Sequence, residues 1–214
     1  MRAQSVVNSF LLSILVQAGA PAQSWNFNSD TVGTLPMGWE TRGESGPATY
    51  QIKSEADGNR YVAAWSQGTD VQLGVRVPWK SPEPSMLSWR WRVWELPLKA
   101  DERSLKTLDS AASVYAVFGS RLFPRIIKYV WSTSAPPGSL FKHPSSGRMA
   151  IVVLNSGPSS LGQWMQQQRN LVEDYKRAFA SQPGNLIAIA IKTDSDSTRS
   201  SARADYDDIQ LTQQ

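Results

Sequence analysis

The 214-residue chain has no cysteine and a single histidine. The missing cysteines exclude a disulfide scaffold, a thiol nucleophile and thiolate metal sites, and they remove the lipid-modifiable residue of a bacterial lipoprotein. One histidine excludes a multi-histidine metal centre. His143 stands between Lys142 and Pro144 in a Pro/Ser/Gly-rich stretch and reads as a loop residue. No G-x-S-x-G elbow, phosphate-cradling glycine loop or E-x-D-x-E strand occurs. Basic tracts are lacking as well: the 22 Lys and Arg, against 18 Asp and Glu, are spread along the chain for a formal charge of +4. Nucleic acid is therefore not an expected partner.

Long apolar runs are confined to the N-terminus. Arg2 is followed by Val6–Val16, an apolar stretch of signal-peptide length but too short for a permanent anchor. Ala20-Pro21-Ala22 then supplies small residues where a signal peptidase cuts. The pattern predicts a cleavable signal over residues 1–22 and a mature domain over 23–214, periplasmic or secreted, with no integral membrane segment. The mature length suits one domain with its own core.

What remains is a series of short strands punctuated by turns such as Gly33-Thr34-Leu35-Pro36, Asp57-Gly58-Asn59 and Ala135-Pro136-Pro137-Gly138. Val71, Leu73, Val75 and Val77 alternate with polar or small neighbours. Leu87, Trp89, Trp91 and Val93 alternate with Ser88, Arg90 and Arg92. Period-two strands buried on one side predict an all-β, antiparallel β-sandwich. The continuous apolar runs Ile151–Leu154 and Leu186–Ile191 read as central strands. One short helix is expected near residues 168–180, where Leu171, Val172, Tyr175, Ala178 and Phe179 follow helical spacing and Pro183-Gly184 marks the end.

Three groups carry possible chemistry. Arg90 and Arg92 share one strand face, where two cations require carboxylates, phosphates or sugar hydroxyls opposite them; Asp109, Asp194 and Asp196 are candidates to answer them. The Asp/Ser-rich turn spaces Asp194, Asp196, Thr198, Ser200 and Asp205 like calcium-loop ligands but lacks the turn glycine. A calcium site is an open reading for Asp194 and Asp196 or for Asp207 and Asp208, beside the plain reading of a self-bonded turn; no other cofactor is expected. Nine tryptophans are many for this length. Trp89 and Trp91 fall on the apolar face and read as core, whereas Trp94, Trp131 and Trp164 lie near strand ends and are candidates for exposed sugar-stacking platforms.

Taken in order, Gly33–Glu40, Leu87–Val93, Asp109–Ala112, Tyr129–Ser132, Gly162–Trp164, Arg169–Tyr175, Thr193–Thr198 and Tyr206–Ile209 resemble the bacterial family catalogued as domain of unknown function 3047. The first and last of these also look like the ends of galactose-binding-like jelly rolls, common among carbohydrate-binding modules. The chain departs from the family pattern at Leu108, where an acidic residue is usual, and at Ser197, where Asn is usual. The resemblance implies a jelly roll and assigns no reaction. Three readings follow: a non-catalytic domain binding a saccharide or similar polar small molecule through Arg90, Arg92, Asp109, Trp131, Asp194 and Asp196; an enzyme built on the same Asp and Arg side chains; and an envelope scaffold or assembly protein.

Overall fold

The computed structural model describes residues 22–43, 49–79 and 85–213. Of the expected signal only Ala22 is among them; residues 1–21 lie outside the described residues. Each alternating strand has one face that must leave water, and two sheets packed through those faces satisfy them. With strands numbered along the chain, the front sheet runs β11 (Met165–Asn170), β6 (Ser85–Glu95), β13 (Ser201–Gln213), β4 (Arg60–Gln67), β3 (Tyr50–Ser54). The short β1 (Ala22–Trp25) also pairs with β13. The back sheet runs β2 (Glu40–Arg42), β5 (Gln72–Trp79), β12 (Leu186–Lys192), β7 (Ala112–Phe118), β8 (Arg125–Ser132), β10 (Ser146–Ser156), β9 (Leu140–His143).

The sandwich is all-β as expected, with one departure from antiparallel pairing. β8 and β10 run parallel, because the chain leaves β8, crosses to the sheet edge and re-enters through the β9–β10 hairpin. His143 thus ends a strand, opposite Ser146, rather than lying in a loop. Both continuous apolar runs are interior strands of the back sheet.

The core is aromatic. Leu87, Trp89, Trp91 and Val93 point inward from β6 and are fully buried. Ring centroids of Trp89 and Trp91 lie 5.4 Å apart, Trp89 and Tyr129 5.3 Å, and Trp91 and Trp131 6.4 Å. Such offset and edge contacts add to the large area these rings remove from water. Trp131 corrects an expectation: Ile127, Tyr129 and Trp131 form the inward set of β8, so the Trp131 ring is core and not an exposed platform. Its indole N–H donates to the Gly157 carbonyl at 3.1 Å.

The helix, α1, spans Leu171–Phe179, and the residues before it are β11, a strand that the pattern did not reveal. Asn170 is the hinge between the two, its side chain accepting from the Val172 and Glu173 amides. α1 ends at Ala180, in the left-handed region at φ 50°, before Pro183-Gly184 is reached. No described helix is long and apolar enough to cross a membrane.

Candidate functional site

The outward side chains of β6 and β13 build the front face. Arg92 Nε lies 3.0 Å and Nη2 2.9 Å from Asp205 Oδ2, and Nη1 lies 2.7 Å from Glu55 Oε1. Register places Asp205 directly across from Arg92. Trp94 Nε1 donates to the same Asp205 oxygen at 2.7 Å. Burial alone would pull the Arg92 guanidinium down, but Asp205 and Glu55 hold it above its ordinary value. Burial also pushes the Asp205 carboxyl up. With two guanidinium nitrogens and an indole N–H on one oxygen, the ion pair is the state that persists. The guanidinium is enclosed by rings, its carbon standing 4.3 Å from the Trp164 centroid, 4.7 Å from Trp94 and 5.3 Å from Tyr61.

Arg90 continues the pattern one pleat away. Its Nη2 meets Asp207 Oδ2 at 2.6 Å, its Nε lies 2.9 Å from Asp208, and it stacks 4.7 Å from Trp164. A bulge makes the double contact possible: Asp208 takes φ 49° where the β13–β6 register shifts, so consecutive aspartates reach one arginine. Beside this paired array the face opens. Trp65 and Trp94 are 50% and 43% exposed. A shallow cavity of about 440 Å³ is lined by Trp65, Gln51, Lys53, Glu95 and Arg203, among others.

The aspartates of the other group lie elsewhere, outside the back sheet. Carboxylate oxygens of Asp109, Asp194 and Asp196 fall within 4.8 Å of one another. The oxygens of Asp194 and Asp109 already have partners. Lys192 Nζ lies 2.7 Å from Asp194 and 2.6 Å from Asp70, and the Ser110 amide donates to Asp194 at 3.0 Å. Asp109 accepts from the Ser197 and Thr198 amides and the Thr198 hydroxyl. Burial would push the Asp194 carboxyl up, but Lys128 and Lys192 hold it below the usual carboxylate value. Burial, with Asp70 and Asp109 nearby, pushes Asp196 up. Below lies a buried polar network in which Lys128 Nζ reaches Ser110 Oγ at 3.0 Å, while Ser110 and Ser132 both donate to Glu102. This donor set does not fit a calcium ion, which would have to displace Lys192 and strip three donors from Asp109. Asp207 and Asp208, the other candidates for calcium, bind Arg90 on the front face.

The six candidate residues therefore separate into three places. Arg90 and Arg92 share the front face, Asp109, Asp194 and Asp196 share the far side, and Trp131 is in the core between the sheets. The arginines are answered by Glu55, Asp205, Asp207 and Asp208, and not by the aspartates across the molecule. Trp94 and Trp164 both belong to the front face, Trp94 exposed and Trp164 partly buried beneath the arginines. Glu55, Tyr61, Trp65 and Arg203 carry no mark in the sequence, and Asp205, spaced there like a calcium-loop ligand, pairs with Arg92 instead. Their signal was strand pairing across sequence distance, such as Trp65 opposite Arg203, which a single sequence does not show.

Among solved structures the chain is similar to the K2 cleaved adhesin domain of Lys-gingipain, at 14% identity over 90% of this chain and 99% of that one, with a TM-score of 0.46. It is similar to the xylan-binding module CBM15, at 13% identity over 91% and 97%, with a TM-score of 0.42. A third, TmCBM61 in complex with β-1,4-galactotriose, shows 8% identity over 89% and 99%, with a TM-score of 0.39. No curated protein matches the sequence. A family model matches residues 37–210, nearly the whole of the two-sheet sandwich, and the chain belongs to that family, described as protein of unknown function DUF3047.

Proposed function

We propose that this chain is an exported, non-catalytic binding domain whose saccharide site is the outer face of the front sheet around Trp65. The observation that carries the reading is the half-exposed Trp65 ring in a shallow cavity with Gln51, Lys53, Glu95 and Arg203 beside it. A sugar ring offers an apolar C–H face to an aromatic and a rim of hydroxyls to such donors and acceptors. The cavity has room for one or two sugar residues. Beside it Arg92, pinned by Asp205 and Glu55, fixes the Trp94 and Trp164 rings, so this neighbouring part of the face is ordered before any ligand arrives. An enzyme using Arg90 and Arg92 together with Asp109, Asp194 and Asp196 is not favoured, because the two sets lie on opposite sides of the sandwich.

Affinity electrophoresis through gels containing xylan, β-glucan or galactan tests the reading. The wild-type protein should be retarded in at least one, and Trp65→Ala should migrate freely with an unchanged melting temperature. Free migration of the wild type on a broad glycan panel would remove the saccharide reading.

A further inference from the structure

A second cavity is on the other side of the molecule. A groove of about 930 Å³ crosses the outer face of the back sheet where β2, β5 and β12 meet the β7–β8 turn. Its floor is low because of two sequence choices. Gly74 and Ala190 are paired across β5 and β12, and a Cβ on Gly74 would stand 3.1 Å from the Ala190 Cβ, so no taller side chain fits the centre of the sheet. Next to them β12 carries a bulge. The register to both neighbouring strands shifts between Leu186 and Ala188, which turns Ile187 outward beside Ala188 while Leu186 and Ile189 remain core. Ile187, Ala188 and Val117 thus give the groove a partly exposed aliphatic floor.

Its rim is cationic. Arg42, Arg76 and Arg121 line the groove from β2, β5 and the β7–β8 turn, with Glu40 as the one carboxylate among the described lining residues. Among the described residues no hydrogen bond or ion pair reaches these three guanidiniums. Beyond Arg121, Leu122 and Phe123 are 82% and 67% exposed. An aliphatic floor does not offer a sugar the donors and acceptors it needs, and a single phosphate would not use the floor. The lining suits a molecule with both characters.

We propose that this groove binds a single anionic amphiphile, its acyl chain on the Gly74–Ala188–Ala190 floor and its carboxylate or phosphate head against Arg76 and Arg121. The site is independent of the saccharide platform. A fatty acid is the simplest member of the class, and myristate below its aggregation concentration is the probe. Calorimetry on the full mature chain should show saturable 1:1 binding, with tetradecanol and butyrate at least tenfold weaker, since each lacks one half of the recognition. Arg76→Glu with Arg121→Glu should weaken myristate at least tenfold. Ala188→Trp, which fills the groove from a half-exposed position, should abolish binding, with circular dichroism and melting temperature confirming the fold. Binding to phosphatidylglycerol vesicles without uptake of monomeric myristate would overturn the proposal in favour of a membrane surface. Equal affinity for butyrate, indifference to the charge reversals, or no saturable heat would also overturn it.

Discussion

On the front face Arg90 and Arg92 are each held by two carboxylates and stacked on aromatic rings, whereas on the back face Arg42, Arg76 and Arg121 surround a groove with no such partner among the described residues. The same residue type does different work in the two places. A guanidinium whose donors are filled sets the position of its neighbours and has little left to offer a ligand. One with free donors contributes little to the fold and keeps its hydrogen-bonding capacity for a partner. The arginine pair that stands out in the sequence is thus a positioning device, and the dispersed arginines that do not stand out are the available ones.

The sharpest way to break this contrast is Arg92→Ala. It strands Asp205, which is buried, and removes the guanidinium shared by three rings, so unfolding in urea should cost about 3–5 kcal/mol, as expected when one member of a buried pair is deleted. A loss below about 1 kcal/mol would make Arg92 an ordinary surface cation and reopen it as a ligand group.

Lys192→Met tests the far side. Losing the ammonium beside buried Asp194 should cost about 1–3 kcal/mol at pH 7. Because the Asp194 pKa is depressed in the folded state, its contribution is fully present above the usual aspartate value and is lost as pH falls through the lowered one. The gap between wild type and variant should therefore narrow from pH 6 towards pH 2, as read from urea midpoints. A gap that does not change with pH would show that the lysine acts only through packing.

Smaller effects belong to the groove. Arg76→Ala should change stability by no more than about 0.5 kcal/mol, as for an exposed side chain with no partner. The smallest concerns calcium: millimolar additions to chelated protein should leave the melting temperature unchanged, since the oxygens of Asp109 and Asp194 are already occupied. A rise would show that a cation displaces Lys192.

The legible part of the fold was the alternation. Leu87–Val93 and Val71–Val77 put their apolar residues inside, and the Arg90/Arg92 face followed from the same period. Trp131 was misread because nearness to a loop was weighed above its place in the β8 alternation with Tyr129. β11 escaped because Met165–Asn170 is an edge strand of polar residues, Gln166, Gln167 and Gln168 among them, with no apolar face to mark it. The partners of the arginines were beyond a linear reading. Glu55 and Asp205 lie 37 and 113 residues from Arg92 and reach it only through strand pairing. The groove was hidden for a related reason: its floor depends on Gly74 and Ala190 becoming neighbours, and small residues give no signal alone.

The position of β13 has a consequence in time. The last of the described strands lies between β6 and β4, pairing with both and with β1. Until β13 is in place, the front sheet consists of separate pieces with unpaired edges, and the Trp89–Trp91 surface of β6 has no continuous sheet beside it. Closure of the front sheet is therefore gated by β13, through contacts of long sequence separation, and such long-range closure is slow.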